Sequence, residues 1–273
     1  MEEERQVTAV PSDIVPGTHV PGFRESIDAV SADQDAFFRW FNNDASLVDA
    51  TFSGAWDFSW HIAAPLARHL GRSVTADGGM TALEIGCGGG RMLGHAARMF
   101  PRVIGVDVHD HLDAVGRRLA EVGIDNVDLR RCDGLSLPCD DASVDVVYSF
   151  IVFQHLEKIA ILIAYLRESF RVLKPGGLAM IYAGRQARLS LHRRSRLLLL
   201  CDLLLEPLYL PRGYREIPAA VNSTNLRVSR SFMRVRARGV GFQTIETCVS
   251  RRNIPQDTAR FGGQHGFLLR KPS

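Results

Sequence analysis

The stretch Leu83-Glu84-Ile85-Gly86-Cys87-Gly88-Gly89-Gly90-Arg91 decides the fold of this 273-residue chain. A short apolar run, Thr81–Ile85, ends in a loop with glycines at 86, 88, 89 and 90, and helix-forming residues follow from Arg91 to Phe100. Glycine tolerates positive φ and lets a ligand approach the backbone with no Cβ in the way. In open parallel sheets ligands bind just beyond the carboxyl ends of the strands, so a nucleotide-like ligand is expected at this loop. A dinucleotide fingerprint, G-x-G-x-x-G, fails in both registers, because its third position falls on Arg91 or on Leu93. A phosphate-binding P-loop fails because no Gly-Lys-Ser/Thr triplet ends the segment.

Outward from the loop, strand and helix patterns alternate. Val103–Val106 is a second apolar run ending at Asp107, and His111–Val122 is a helix stopped by Gly123. Val127–Arg131 is a third strand. Val144–Ser149 is a fourth, with the near-continuous β-branched character of a strand buried on both faces. Glu157–Leu173 is a helix closed by Lys174-Pro175-Gly176-Gly177, and Leu178–Ala183 is a fifth strand. Ser229–Arg238 is a further helix, and Phe242–Val249 and Gly266–Arg270 are two last strands. Alternation of this kind implies right-handed βαβ units and an α/β fold. The expectation is a Rossmann-like, seven-stranded, mostly parallel sheet with helices on both faces. Residues 1–75 are expected to form an N-terminal arm and helical lid, and 76–273 the main domain with an inserted helical segment at 184–228.

The arm carries Pro11, Pro16 and Pro21 with few apolar anchors. The lid carries Phe37, Trp40 and Phe41 at helical spacing, then Phe52, Trp56, Phe58 and Trp60. Within the insertion, one or two helices and a loop are expected around Leu197–Leu205.

Composition narrows the function. Five scattered cysteines with no CxxC pair argue for free thiols in a reducing cytoplasm and against a zinc site. No apolar run approaches the roughly 20 residues of a membrane span, and the acidic Met1-Glu2-Glu3-Glu4 start argues against a secretory signal. The charge is lopsided. Residues 1–150 hold 12 Arg and Lys against 23 Asp and Glu, whereas residues 151–273 hold 21 against 7. A basic half either stays solvated or faces an anionic partner.

The loop matches E/D-x-G-x-G-x-G, which resembles the first motif of the class I S-adenosylmethionine-dependent methyltransferases. The later segments are similar in order and spacing: Val106-Asp107-Val108, Cys132-Asp133-Gly134, the Asp145–Ser149 strand with Phe150 and then Gln154-His155-Leu156, and Arg171-Val172-Leu173-Lys174-Pro175-Gly176-Gly177. The resemblance implies S-adenosyl-L-methionine as cofactor, held by Glu84, Gly86, Cys87, Gly88, Gly90, Asp107, Val108, Cys132, Asp133, Gly134, Ser149 and Phe150. In the family the acidic position of Asp107 accepts the ribose hydroxyls, and that of Asp133 contacts the adenine amino group. Asp133 could instead cap its turn, Phe150 could instead fill the core, and Cys87 reads as a small loop residue, not a nucleophile.

His155, just after the fourth strand, is the candidate general base, and His61 a weaker one. No metal is expected. The acceptor is expected to be a small or medium-sized molecule, anionic or aromatic, methylated on O, N or C. DNA is not expected, because no Asn/Asp-Pro-Pro-aromatic segment follows the fourth strand. The arginines and leucines of 184–228 suit a substrate wall or homodimer contact better than a membrane helix. An RNA-modifying methyltransferase, a non-catalytic cofactor-binding protein and an NAD-dependent oxidoreductase are the competing readings.

Overall fold

The computed structural model describes residues 33–41, 53–70, 79–217, 224–252 and 259–273, and the side chains of Gln34 and Trp40 are not among what it describes. The arm expected at residues 1–22 lies outside the described residues.

Seven strands form one sheet: β1 (Thr81–Ile85), β2 (Arg102–Asp107), β3 (Val127–Arg131), β4 (Val144–Ser149), β5 (Leu173–Gly184), and two more named below. Their order is β3-β2-β1-β4-β5 and then the last two, so the order of strand addition reverses between β1 and β4, which are parallel. That reversal opens a crevice above the carboxyl end of β1, where the glycine loop sits. The helices are α1 (Gln34–Phe41), α2 (residues 53–67, with a π-helical turn at Phe58–Ala63), α3 (Leu93–Ala96), α4 (Leu112–Glu121), α5 (Ile159–Val172), α6 (Arg196–Tyr209) and α7 (Arg230–Val240).

A short hairpin, β6 (Tyr214–Glu216) with β7 (Leu226–Val228), follows α6. The chain then completes the sheet with β8 (Gln243–Arg252) and β9 (Arg260–Arg270). β9 runs antiparallel to both β5 and β8, so six strands are parallel and one is reversed.

Alternation along each strand divides the core in two. Leu83, Ile85, Ile104, Val106 and Val147 face one layer, with Leu162, Tyr165 and Leu166 of α5 and Met233 and Ala237 of α7. Ala82, Val103, Val146, Tyr148 and Met180 face the other, with Val115 and Leu119 of α4. The aromatic segment packs into this second layer, where Phe37, Phe38, Phe58, Ile62 and Leu66 are all buried.

Several elements differ from the sequence reading. The helix after the loop is a single turn, Leu93–Ala96, with turns on either side in place of Arg91–Phe100. β5 begins at Leu173, five residues early, because Leu173 pairs with Val144 before the Gly176-Gly177 irregularity. Among its described residues the insertion contains one helix and the β6–β7 hairpin, which the sequence does not announce.

α2 is held onto the sheet by close backbone approach. A Cβ on Gly54 would lie 2.4 Å from the Arg91 carbonyl oxygen. Arg91 in turn donates to the Asp57 carboxylate at 2.6 Å, so α2 is clamped to the glycine loop. Gly54→Ala is expected to destabilise the fold by about 1–3 kcal/mol through that overlap, measured as a lower urea midpoint with an unchanged slope.

Candidate functional site

The loop is built from strand ends. The Val106 carbonyl accepts from both Gly86 and Cys87 N–H, at 2.8 and 3.1 Å, extending the β1–β2 ladder into the loop. Gly86, Gly88 and Gly90 have φ of 75°, 50° and 81°, which explains why all three are glycine. Asp107 at the end of β2 accepts from Gly88 N–H at 2.7 Å through Oδ2, and from its neighbour Val108 N–H at 2.7 Å through Oδ1. A carboxylate has about four acceptor positions, and Asp107 is only partly buried. It therefore keeps acceptor capacity for a pair of hydroxyls while it holds the loop. The remaining acceptor positions of Asp107 fit the hydroxyls of a ribose-bearing ligand, while the space a Cβ would take at Gly86, Gly88 and Gly90 is filled by Val152, Phe41 and Val115.

The remaining sequence candidates divide by position. Ser149 is fully buried at the end of β4, with its hydroxyl donating to the Ile85 carbonyl at 2.9 Å. Cys87 is buried, and burial pushes its thiol well above the usual range, so it is no thiolate nucleophile. Cys132 is buried with its thiol raised to about 11, again by burial first. Gly134 takes φ of 87° in the turn after β3. Asp133 is exposed, and its Oδ1 accepts from Leu135 and Ser136 N–H at 2.8 and 2.7 Å. The capping alternative thus describes that oxygen.

Phe150 is packed in the core. It stacks on His61 with centroids 4.2 Å apart and meets Tyr182 edge-on at 5.0 Å. His61 is itself fully buried, with Nδ1 donating to the Asp57 carbonyl and Nε2 accepting from Arg251 N–H at 3.0 Å. Burial first, against the pull of Asp57, holds its pKa below the usual value, so it is neutral. With both nitrogens engaged, His61 ties α2 to β8 and is no proton acceptor.

Glu84 lies beneath the loop. It is buried, and Tyr148 O–H donates to its Oε2 at 2.9 Å. Burial raises its pKa to about 8, outweighing the hydrogen bond from Tyr148 and the charge of Arg91. It therefore carries a proton at neutral pH.

His155 lies in a single 3-10 turn, Phe153–His155, beyond β4. Its Nε2 is 3.1 Å from Gln154 Nε2, an amide N–H directed at the imidazole. The Gln154 and His155 carbonyls accept from Asn225 N–H and its side-chain amide, so the segment before β7 braces this turn.

His109 and Ile151, which the sequence reading passed over, and Phe41, which it placed in the lid, also shape the site. His109 is buried and bridges the loop: Nδ1 accepts from His111 N–H, which leaves Nε2 to donate to the Gly88 carbonyl at 3.1 Å. Phe41 of α1 covers the loop so closely that a Cβ on Gly88 would come within 2.7 Å of its ring. Ile151 follows Ser149-Phe150 with φ of 61°, a strained value for a β-branched residue. Strain of this kind concentrates at functional sites. The only signal for His109 and Ile151 was adjacency to a motif.

Sheet order, a glycine loop after β1 and an acidic end to β2 define the class I methyltransferase fold. Residues 83–181 match the family described as methyltransferase domain. A Mycolicibacterium smegmatis protein described as a "probable S-adenosylmethionine-dependent methyltransferase" is 39% identical over 103 residues, 38% of this chain and 37% of that protein. A ubiquinone biosynthesis O-methyltransferase of Cereibacter sphaeroides is 34% identical over 117 residues, 43% of this chain and 46% of that protein. The matched stretch spans less than half the length of either relative. A SAM-dependent methyltransferase from Aquifex aeolicus shares the fold with a TM-score of 0.50 and 16% identity, over 79% of this chain and 92% of that one. Over this stretch the chain is similar to S-adenosylmethionine-dependent methyltransferases, whose cofactor is S-adenosyl-L-methionine.

Two measurements check the site. Glu84 has its pKa raised on folding from 4.5 to about 8, so the native state holds one more proton than the unfolded state between those values. Its contribution to stability is full below pH 4.5 and declines by about 1.4 kcal/mol per pH unit up to pH 8. Glu84→Gln is expected to remove that decline, seen by comparing urea midpoints of the two proteins at pH 5, 6, 7 and 8. Ile151→Gly is expected to stabilise the protein by about 1 kcal/mol by releasing the left-handed backbone, read as a higher Tm.

Proposed function

We propose that this protein is a methyltransferase that binds S-adenosylmethionine on the β1 loop and transfers its methyl group to a small or medium-sized acceptor. The observation that carries this reading is Asp107, which closes the loop through Gly88 N–H while keeping acceptor positions for hydroxyls. When bound, the cofactor supplies an electrophilic methyl on a sulfonium with a neutral thioether as leaving group. The protein's task is then to bind, orient and exclude water.

In this reading Gly86, Gly88 and Gly90 present backbone to the cofactor, and Asp107 accepts from its ribose. Val108, Cys132, Asp133, Gly134, Ser149 and Phe150 form the walls around the nucleoside, Asp133 on the adenine side. Cys87 fills the loop. Glu84 acts from below as a neutral acid bonded to Tyr148, holding the end of β1 without adding negative charge beside Asp107. α1 and α2, within the segment 1–75, serve as the lid over the domain formed by 76–273. His155 faces the acceptor side of β4 and takes the acceptor's proton, with Gln154 orienting its ring.

A likeness to the ubiquinone biosynthesis O-methyltransferase supports a hydroxyl acceptor on an apolar molecule. The Trp56–Trp60 stack, with centroids 4.9 Å apart and Trp60 45% exposed, offers a planar apolar surface for such an acceptor.

The test is calorimetric titration with S-adenosylmethionine, S-adenosylhomocysteine and NAD. Both sulfur nucleosides are expected to bind and NAD not to. Asp107→Ala is expected to weaken nucleoside binding at least tenfold. Binding of NAD alone would replace the methyltransferase reading with an oxidoreductase one. Once an acceptor is found, His155→Ala is expected to lower kcat by about 10²–10⁴ if the imidazole takes the proton, and to remove the acidic limb of the pH–rate profile.

A further inference from the structure

Helix α6 is turned inside out. Its buried residues are Asp202 and Glu206. Its outward face carries Leu197, Leu200, Leu204 and Leu208, which are 69%, 52%, 69% and 75% exposed. These positions follow the i, i+3, i+7, i+11 spacing of one helical stripe. On an ordinary surface helix the two faces are exchanged.

The inward acids fix this orientation. Asp202 accepts from the Ser190 hydroxyl at 2.6 Å and from the N–H groups of Arg188, Leu189 and Ser190. Glu206 contacts buried His265 Nε2 at 2.6 Å and accepts from Arg230 N–H at 3.0 Å. Rolling the helix to hide the leucines breaks these contacts and strands buried polar groups. The stripe is therefore a fixed feature of the surface.

Charge selects what covers it. Residues 185–216 hold seven arginines, of which Arg185 is buried, against three acids, Asp202 and Glu206 turned inward and Glu216 exposed. Arg193 and Arg196 are exposed at the start of α6, and Arg212 and Arg215 beyond its end. The latter two line a surface cleft of about 440 Å³ with Tyr209, Pro211, Tyr214 and Glu216. A second copy placed across a two-fold axis sets this arginine-rimmed patch against itself, with like charges opposed. Pairing it with the acidic first half of another copy is a head-to-tail contact, which gives a ring or an open filament. A leucine face bordered at both ends by arginine is what an anionic lipid surface accommodates: leucines enter the acyl boundary and guanidiniums meet headgroup phosphates.

We propose that α6 docks this protein in-plane on an anionic membrane surface. At 14 residues the helix is about 21 Å long, which suits lying in the interface. No helix among the described residues is long and apolar enough to cross a membrane. The sequence reading favours a lid or dimer for this segment, and the exposed leucines and inward acids point instead to lipid. Residue 185 follows directly from the carboxyl end of β5, so the insertion leaves the sheet on the same edge as the glycine loop. Docking there turns the mouth of the site toward the headgroups, from which an apolar acceptor is taken. That last consequence rests on the methyltransferase reading, whereas the docking does not.

The experiment is vesicle flotation of the full chain with phosphatidylglycerol–phosphatidylcholine vesicles and with phosphatidylcholine alone, beside light scattering of the free protein. Wild type is expected to partition at least tenfold more strongly onto the anionic vesicles, and the preference is expected to shrink in high salt. Leu204→Ser/Leu208→Ser is expected to lose binding at least tenfold with little change in Tm, because both side chains are exposed. Arg193→Gln/Arg196→Gln is expected to lose the preference for anionic vesicles.

Absence of vesicle binding by wild type overturns the proposal, as does equal binding by the leucine variant. A wild-type dimer that the leucine variant converts to monomer, with no vesicle binding, assigns the face to a second copy and also overturns it. Cofactor calorimetry is read separately, so a chain that floats without binding S-adenosylmethionine keeps the docking and loses the methyltransferase reading.

Discussion

The Asp107 carboxylate joins the end of β2 to Gly88 and Val108, and much of the site depends on that bridge. A loop with three positive-φ glycines is entropically expensive to order. It is held because its N–H groups are taken up by the carbonyl of Val106 and by Asp107, both at the end of one strand. His109 completes the bracket from the opposite side by donating to the Gly88 carbonyl. The same strand end therefore folds the loop and presents acceptors to a ligand. Loss of Asp107 is correspondingly a loss of loop geometry as well as of contact, which is why the glycines and the carboxylate belong to one device.

The N-terminal segment is anchored to that device through Arg91. The side chain that disqualifies a dinucleotide fingerprint reaches Asp57 of α2, and the adjoining His61 runs on to β8 through Arg251 N–H. One helix thus links the loop after the internal strand β1 to the edge strand β8. Charge is matched locally along this path: Asp57 faces Arg91, and the neutral imidazole of His61 and the protonated Glu84 add no further charge to the buried layer. A helix clamped in this way can carry a lid, because its hinge side is fixed by ion pairing and close backbone approach at Gly54. α1, by contrast, rests on the loop mainly through Phe37, Phe38 and Phe41.

The sheet was legible because its strands obey simple rules. Thr81–Ile85, Val127–Arg131 and Val144–Ser149 have the same bounds in sequence and structure, since apolar strands flanked by Gly, Asp and Ser leave little choice. The glycine loop and Asp107 were legible for the same reason, being punctuation with a geometric consequence. The short helix after the loop was not, because Gly94 and the surrounding turns favour a single turn over propensity. Nor was the hairpin, whose strands, Tyr214–Glu216 between Pro211 and Pro218 and Leu226–Val228 beyond them, are three residues each and too short to show a periodicity. Phe150 and His61 show a further limit: a motif position gives the neighbourhood of a side chain, and its packing partners decide which way it faces.

The insertion illustrates why hydrophobic pattern alone could not orient α6. Leucine occupies most of its circumference, so sequence shows an apolar helix without indicating which side is covered. The two acids then decide the matter in the direction opposite to habit. Each is more costly to bury than a leucine is to expose, unless partners await it. Here those partners exist on β9, on α7 and in the 188–190 turn. Once Asp202 and Glu206 are satisfied inside, the leucines have nowhere to go but outward. The exposed stripe is thus the consequence of a buried polar network. A protein that maintains such a network on its own surface helix, at the sheet edge that carries the glycine loop, has organised that surface for an apolar neighbour.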